Sequence, residues 1–259
     1  MPRYLRAHWG DAHPAIRGDL VSSRLEELDW QQTPMGELTL RRRHDPLVDA
    51  EVYEVKLGDE YLMSSLFTLA EEELARLGLA AVEGDELQVL VGGLGLGYTA
   101  VTALDDARVA SMTVVDALPA VIDWHERLLL PVSARLVGDP RTRLALGDFF
   151  AWMRDDAGPS AAAKYDAILL DVDHSPRHQL DPSHADLYTV DGLRRLQRHL
   201  SERGVFALWS DDPPDDDFMA TLDTVFSGAR AQVVRFDNPL TGGVSSNTVY
   251  VAGASPTMR

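Results

Sequence analysis

Short apolar runs separated by stretches of helical spacing fill the chain from residue 87 onward. Residues 87–91 (LQVLV), 111–117 (SMTVVDA), 141–147 (RTRLALG), 165–172 (YDAILLDV) and 204–209 (GVFALW) each have the length of a buried strand. Between them, residues 98–104, 118–130 and 181–200 carry helical spacing, and Pro131 closes the second of these. Strands alternating with helices predict an α/β fold, a parallel sheet with helices on both faces. The alternation stops near the end of the sequence. Residues 231–236 and 247–252 are joined only by residues 237–246, too short a link for a crossover helix. An antiparallel hairpin should finish the sheet.

The first third has another texture. Residues 37–41 (ELTLR), 50–57 (AEVYEVKL) and 61–64 (YLMS) are short strand-like runs, the first two alternating polar and apolar, with turns at Thr33-Pro34-Met35-Gly36 and Gly58-Asp59-Glu60. They predict a small antiparallel β unit over residues 30–64. A helix over 66–79 should follow, with Glu71-Glu72-Glu73 on a solvated face. Residues 20–30 read as one short helix. Three parts result: an N-terminal extension (1–29), the β unit with its linking helix (30–79) and the main ligand-binding domain (80–259).

Composition narrows the function classes. The chain has 259 residues, enough for one α/β domain of roughly 150–200 residues plus a smaller unit. No apolar run approaches the ~18 residues that span a bilayer, and no signal peptide is expected, so a cytoplasmic protein without a membrane partner is the reading. With no cysteine, disulfides, thiolate nucleophiles and zinc–cysteine sites are excluded. The net charge of −17 disfavours nucleic acid as a partner, because phosphate contacts need clustered Lys and Arg. An acidic field instead attracts a small cation such as an amine.

The strongest chemical signal is the turn after residues 87–91. Gly92, Gly93, Gly95 and Gly97 fall within six residues and are followed by a helix start. Such a turn lets a ligand approach the backbone and offers it unpaired N–H groups. The next strand ends in Asp116, nineteen residues past Gly97, where an acid accepts hydrogen bonds from ribose hydroxyls. The dinucleotide pattern G-x-G-x-x-G is not met; the spacing is G-x-G-x-G, which argues for another nucleoside. Asp148, beside Phe149, and Asp171 close the third and fourth strands. Asp148 suits an adenine amino group, and Asp171 lies where an acceptor would approach. Any one of these acids alone fits a cap or turn; three at equivalent strand ends point to function.

Other constellations carry less. The loop 171–186 holds Asp173, His174, His178 and His184, but without the fixed spacing of a metal site. It reads as a substrate-gating loop, and no metal is expected. His8 and His13 read as surface residues near a terminus. The acidic run 211–217 reads as a solvated loop whose last acids favour the helix starting near Phe218. No G-x-S-x-G elbow supports a serine hydrolase.

Taken together, the glycine turn, the strand-end acids, the N-terminal β unit and the terminal hairpin resemble the spermidine synthase (polyamine aminopropyltransferase) family over about residues 30–252. That resemblance implies the Rossmann-like class I S-adenosylmethionine-dependent methyltransferase fold, with a mostly parallel seven-stranded sheet ending in an antiparallel hairpin. It also implies a sulfonium nucleoside donor, decarboxylated S-adenosylmethionine, and a small-molecule amine acceptor. Gly93, Gly95, Leu96, Gly97, Asp116, Asp148 and Phe149 would then hold the donor, and Asp171 would take the amine's proton. A homodimer through the β unit is the assembly it allows.

Three departures separate the chain from the family pattern. The family's glycine loop, G-G-G-D-G-G, carries an acid where this chain has Leu96. Its D-S-x-D-P becomes Asp171-Val172-Asp173-His174-Ser175-Pro176, and its Tyr-Gln-Glu stretch aligns with Ala70-Glu71-Glu72. An ammonium facing Leu96 would lose a charge-assisted hydrogen bond, about 1–3 kcal/mol. Asp173 and Glu72 are the candidates to compensate, with His174 beside them. The first reading is aminopropyl transfer to a small amine. Methyl transfer from intact S-adenosylmethionine on the same scaffold is the second, and a catalytically silent nucleoside-binding protein is the third.

Overall fold

The computed structural model describes residues 25–33, 36–155 and 164–253. The alternating N-terminal runs form a four-stranded antiparallel sheet, β1 (Glu26–Thr33), β2 (Gly36–Asp45), β3 (Ala50–Leu57) and β4 (Glu60–Ser64), in that spatial order. The expected helix over 20–30 is corrected where it is described: Glu26 to Trp30 pairs with β2, Trp30 opposite Thr39. The reason is tertiary. Leu28 packs on the core, and Asp29 accepts a hydrogen bond from Trp124 Nε1 at 2.7 Å. His8, His13, Pro34 and Met35 lie outside the described residues.

α1 (Leu69–Ala80) links the two sheets. It buries Ala70, Leu74, Ala75, Gly78 and Leu79, one stripe at helical spacing. The second sheet contains β5 (Leu87–Gly92), β6 (Val109–Asp116), β7 (Thr142–Leu146), β8 (Tyr165–Leu170), β9 (Leu200–Ser210), β10 (Ser227–Asn238) and β11 (Gly243–Gly253). Its order is β10-β11-β9-β8-β5-β6-β7. Neighbours from β9 to β7 run parallel, while β11 pairs antiparallel with both β9 and β10. This is the expected α/β architecture with its terminal hairpin.

Helices α2 (Tyr98–Ala103), α3 (Pro119–Glu126), α4 (Ser133–Gly138), α5 (Phe149–Asp155), α6 (Val190–Gln197) and α7 (Asp216–Val225) complete it. The near-continuous apolar strands are explained by burial on both faces. Val89 and Val91 of β5 enter one buried cluster, and Leu90 between them enters the other. Among the described residues, no helix is long and apolar enough to cross a membrane.

Two expected helices are shorter than their spacing suggested. Residues 118–130 give α3 only to Glu126, because Leu128 takes a left-handed backbone with φ 57°. Residues 181–200 divide into a 3₁₀ turn, Pro182–Asp186, and α6, whose N-cap Thr189 accepts from Gly192 N at 3.1 Å. Gly192 lies so close to Asp186 and Leu187 that a Cβ there would stand 2.0 Å from Asp186 O. Leu200 already belongs to β9.

Candidate active site

The sheet order reverses around β5: the chain proceeds to β6 and β7 on one side, then returns to β8 and β9 on the other. A crevice opens at such a point, outside the carboxyl ends of the strands. Backbone hydrogen bonds tie those ends together, Gly93 N to Val115 O at 2.9 Å, Asp171 N to Gly92 O at 2.8 Å and Gly147 N to Asp116 O at 3.0 Å. Gly93 has φ +92°, and a Cβ there would stand 2.0 Å from Asp171 O. The glycine turn therefore lies directly against the end of β8.

A cavity of about 400 Å³ fills the crevice. Gly93, Gly95, Leu96, Gly97, Asp116, Asp148, Phe149, Asp171 and His174 all line it, so one site gathers these sequence-predicted residues. The N-terminal sheet closes it from outside through Leu57, Leu62 and Met63. Met63 lies over the turn, its Sδ 3.2 Å from where a Cβ on Gly95 would stand. Behind the turn, the buried His125 donates from Nε2 to Gly95 O at 3.0 Å. Its Nδ1 is then left to accept from Ser133 Oγ at 3.1 Å. Burial lowers the His125 pKa, in keeping with this neutral ring.

The strand-end acids differ in how they are held. Asp116 accepts from Leu94 N at 2.9 Å and from Leu118 N at 2.8 Å, one bond to each oxygen. Burial raises its pKa, and the backbone donors oppose that rise. Asp148 caps α5, accepting from Phe150 N and Ala151 N through Oδ1. Its Oδ2 lies 3.7 Å from Arg154. Asp171 accepts from Thr99 Oγ1 at 2.7 Å, and burial, against that hydrogen bond, pushes its carboxyl up to about 6.

Asp173 and Glu72 do not line the cavity. Asp173 is buried behind it and accepts from Leu180 N at 2.8 Å, His184 Nδ1 at 2.7 Å and Tyr188 OH at 2.6 Å. It anchors the loop instead of facing a ligand. Glu72 accepts from Thr68 Oγ1 at 2.9 Å and pairs with Arg76 at 2.7 Å on the outer side of α1.

The expectation of a solvated face on α1 fails at Glu71. This side chain enters the cavity wall, where burial and then the facing Asp171 push its carboxyl up to about 8. One helical position, about 100° of rotation, separates it from Glu72. Thr99 and His125 were also missed, as was Trp209 at the end of β9, which lines the cavity. Only the place of Thr99, two residues past Gly97, carried a sequence signal.

The loop histidines are engaged separately. His174 lines the cavity, His178 pairs with Asp212 at 2.9 Å, and His184 stacks on Phe150 with ring centroids 3.6 Å apart. Among the described residues, no cluster of His, Cys, Asp and Glu is arranged to hold a metal.

Comparison with known proteins finds sequence relatives and structures of similar fold. No family model matches the chain. Over 237 residues it is 28% identical to the polyamine aminopropyltransferase of Sulfolobus acidocaldarius, covering 90% of this chain and 70% of that protein. Over 200 residues it is 28% identical to the polyamine aminopropyltransferase of Mycobacterium tuberculosis, covering 75% of this chain but 37% of the relative. The spermidine synthase of Thermotoga maritima superposes with a TM-score of 0.66 at 17% identity, over 89% of this chain and 73% of that one. A spermidine synthase in complex with the transition-state analogue AdoDATO gives 0.66 at 19% identity, over 89% and 75%. By sequence the chain is similar to polyamine aminopropyltransferases, and its fold is similar to that of spermidine synthases.

Proposed function

We propose that the cavity binds decarboxylated S-adenosylmethionine and transfers its aminopropyl group to a small amine. The observation that carries this reading is the acidic composition of the wall. Glu71, Asp116, Asp148, Asp171 and Asp181 line the cavity, and among the described residues no Lys or Arg does. A ligand bearing ammonium and sulfonium charges suits such a wall. Intact S-adenosylmethionine brings an additional carboxylate, for which the wall offers no Lys or Arg among the described residues. The names of the sequence relatives point the same way.

The roles proposed for the residues follow from their lone pairs. Each oxygen of Asp116 accepts one backbone N–H and retains capacity for a ribose hydroxyl. Asp148 Oδ2 is free of the cap and suits the adenine amino group, with Phe149 beside the ring. Gly93, Gly95, Leu96 and Gly97 supply close backbone approach.

In the reaction, the acceptor nitrogen's lone pair forms a bond to the methylene carbon next to sulfur. The carbon–sulfur bond breaks, and its electron pair returns to sulfur as the neutral thioether of 5′-methylthioadenosine. The new ammonium loses its proton to Asp171. Since the sulfonium is already activated, the protein contributes chiefly in-line positioning and a proton acceptor.

Calorimetric titration with the decarboxylated and the intact donor tests the reading, together with Asp171→Asn. Tighter binding of the decarboxylated donor is expected. The variant should keep that binding and lose turnover by about 10²–10⁴-fold. Tighter binding of intact S-adenosylmethionine would transfer the assignment to methyl transfer.

A further inference from the structure

Four of the five carboxylates on the cavity wall accept hydrogen bonds from neighbouring residues. Asp116 is held by two backbone N–H groups, Asp148 caps α5 and Asp181 caps the 3₁₀ turn by accepting from Ser183 N at 2.8 Å. Asp171 has the Thr99 hydroxyl. Glu71 lines the same cavity as Asp171, and the buried Thr99 lies against both residues, at the carboxylate of Asp171 and at the main chain of Glu71. Its Oγ1, 2.7 Å from Asp171 Oδ2, also lies 3.2 Å from the Glu71 carbonyl oxygen. A carboxylate pair in one cavity, without a Lys or Arg in the described wall, is an incomplete charge arrangement that a cation completes.

We propose that Glu71, facing Asp171, is the specificity-determining carboxylate that selects a ligand carrying a primary ammonium. The proposal rests on the transferase reading of the cavity and adds a residue, Glu71, that this reading does not need. The ammonium could be that of the donor's aminopropyl chain or that of a diamine acceptor. Both present the same –NH₃⁺ chemistry, and separate titrations distinguish them.

The groups around Glu71 define how binding must depend on pH. On α1 itself Glu72 is paired with Arg76, which also holds Glu73 at 2.9 Å. From α2 comes Tyr98, from the end of β8 Asp171, and from the following loop His174. Asp211 follows β9 and receives the Asn247 amide of β11 at 2.8 Å. Burial first, and then the acids among them, disfavour a negative charge on Glu71 and push its carboxyl up to about 8, which favours its neutral form near pH 7. An entering ammonium reverses that preference. The Glu71 proton departs to solvent as the cation binds, and a charge-assisted hydrogen bond replaces it.

The experiment is calorimetry at pH 7 in buffers of different ionisation enthalpy, on wild type and Glu71→Gln. The probes are 1,4-diaminobutane, decarboxylated S-adenosylmethionine and the ammonium-free 5′-methylthioadenosine. Wild type should release close to one proton on binding at least one of the two ammonium probes, and the probe that does so identifies the ligand. Glu71→Gln should lose that release and bind the same probe about 10- to 100-fold more weakly. Equal 5′-methylthioadenosine binding by both proteins shows that the variant is folded. Unchanged affinity and proton release in Glu71→Gln, or no proton release in wild type with either probe, overturns the proposal. Absence of 5′-methylthioadenosine binding from both proteins counts instead against the nucleoside reading; a proton-linked ammonium response that Glu71→Gln lacks would still stand.

Discussion

Gly93 carries two separate constraints, and a pair of variants separates them. Its φ of +92° is a backbone region that L side chains rarely adopt, and its Cβ direction is occupied by Asp171 O at 2.0 Å. Gly58 has φ +58°, with nothing within 4 Å of its Cβ position. Gly58→Ala should therefore cost about 1 kcal/mol of backbone strain, a Tm drop of roughly 2–4 °C. Gly93→Ala adds a clash with backbone that cannot rotate away, and about 3 kcal/mol or 6–10 °C is expected. It should also weaken nucleoside binding, because Asp171 must move. Thermal unfolding of both variants checks the difference; equal losses would show that the close approach of β5 to β8 carries no strain. The strand-end acids were legible in the sequence for the same positional reason. A parallel strand fixes where its last residue goes, so Asp116, Asp148 and Asp171 converge whatever surrounds them. Glu71 was not legible, because three consecutive glutamates on a helix differ only in rotation. The packing of Leu74 and Ala75 sets that rotation, and it appears only once the sheet is present.

At the scale of elements, the loop between β8 and α6 is held by one carboxylate. Asp173 receives Leu180 N, His184 Nδ1 and Tyr188 OH, and these bonds fix the segment that gives the cavity Leu180, Asp181, Ser183 and His184. Asp173→Ala leaves three donors without their acceptor and should destabilise the protein by about 2–4 kcal/mol. Amide exchange across residues 174–188 should rise with it. Asp173→Asn keeps an acceptor oxygen and should be milder in both respects. Because no Asp173 oxygen faces the cavity, neither variant should change the preference for an ammonium ligand over 5′-methylthioadenosine. A selective loss of the ammonium ligand would return Asp173 to the substrate role the sequence suggested. That suggestion came from matching the family pattern after the fourth strand, which shows that an acid follows a strand but not which way the chain then turns. The two shortened helices have a related origin. The spacing continued past Glu126 and across residues 187–189, where a left-handed Leu128 ends one helix and Thr189, as an N-cap, starts the other afresh.

At the scale of the molecule, acidity becomes a pH-dependent stability whose sign can be worked out. Arg141 holds Asp139 down to about 2. Stability from that group is present above its unfolded value and lost only as pH falls toward 2. Glu71 behaves oppositely. Its folded carboxyl sits at about 8, against an unfolded value near 4.3, so the folded state binds the extra proton between those limits. Stability must therefore decline as pH rises through that window. Asp171, at about 6, contributes the same sign over a lower range. His125 opposes both below about pH 6.5, since burial keeps it neutral while the unfolded ring takes up a proton. Between pH 6.5 and 8, Glu71 is thus the dominant contributor among these four groups. Wild type should lose about 1 kcal/mol over that interval, a Tm fall of roughly 2–4 °C, and Glu71→Gln should be nearly flat. At pH 8 the variant should unfold at the higher temperature. A saturating ammonium ligand should remove most of the wild-type slope, because the bound cation leaves no proton to lose. Thermal scans of the two proteins at both pH values read the result directly. Parallel curves would mean that Glu71 is already ionised in the empty cavity, and the electrostatic argument for its selectivity would go with them.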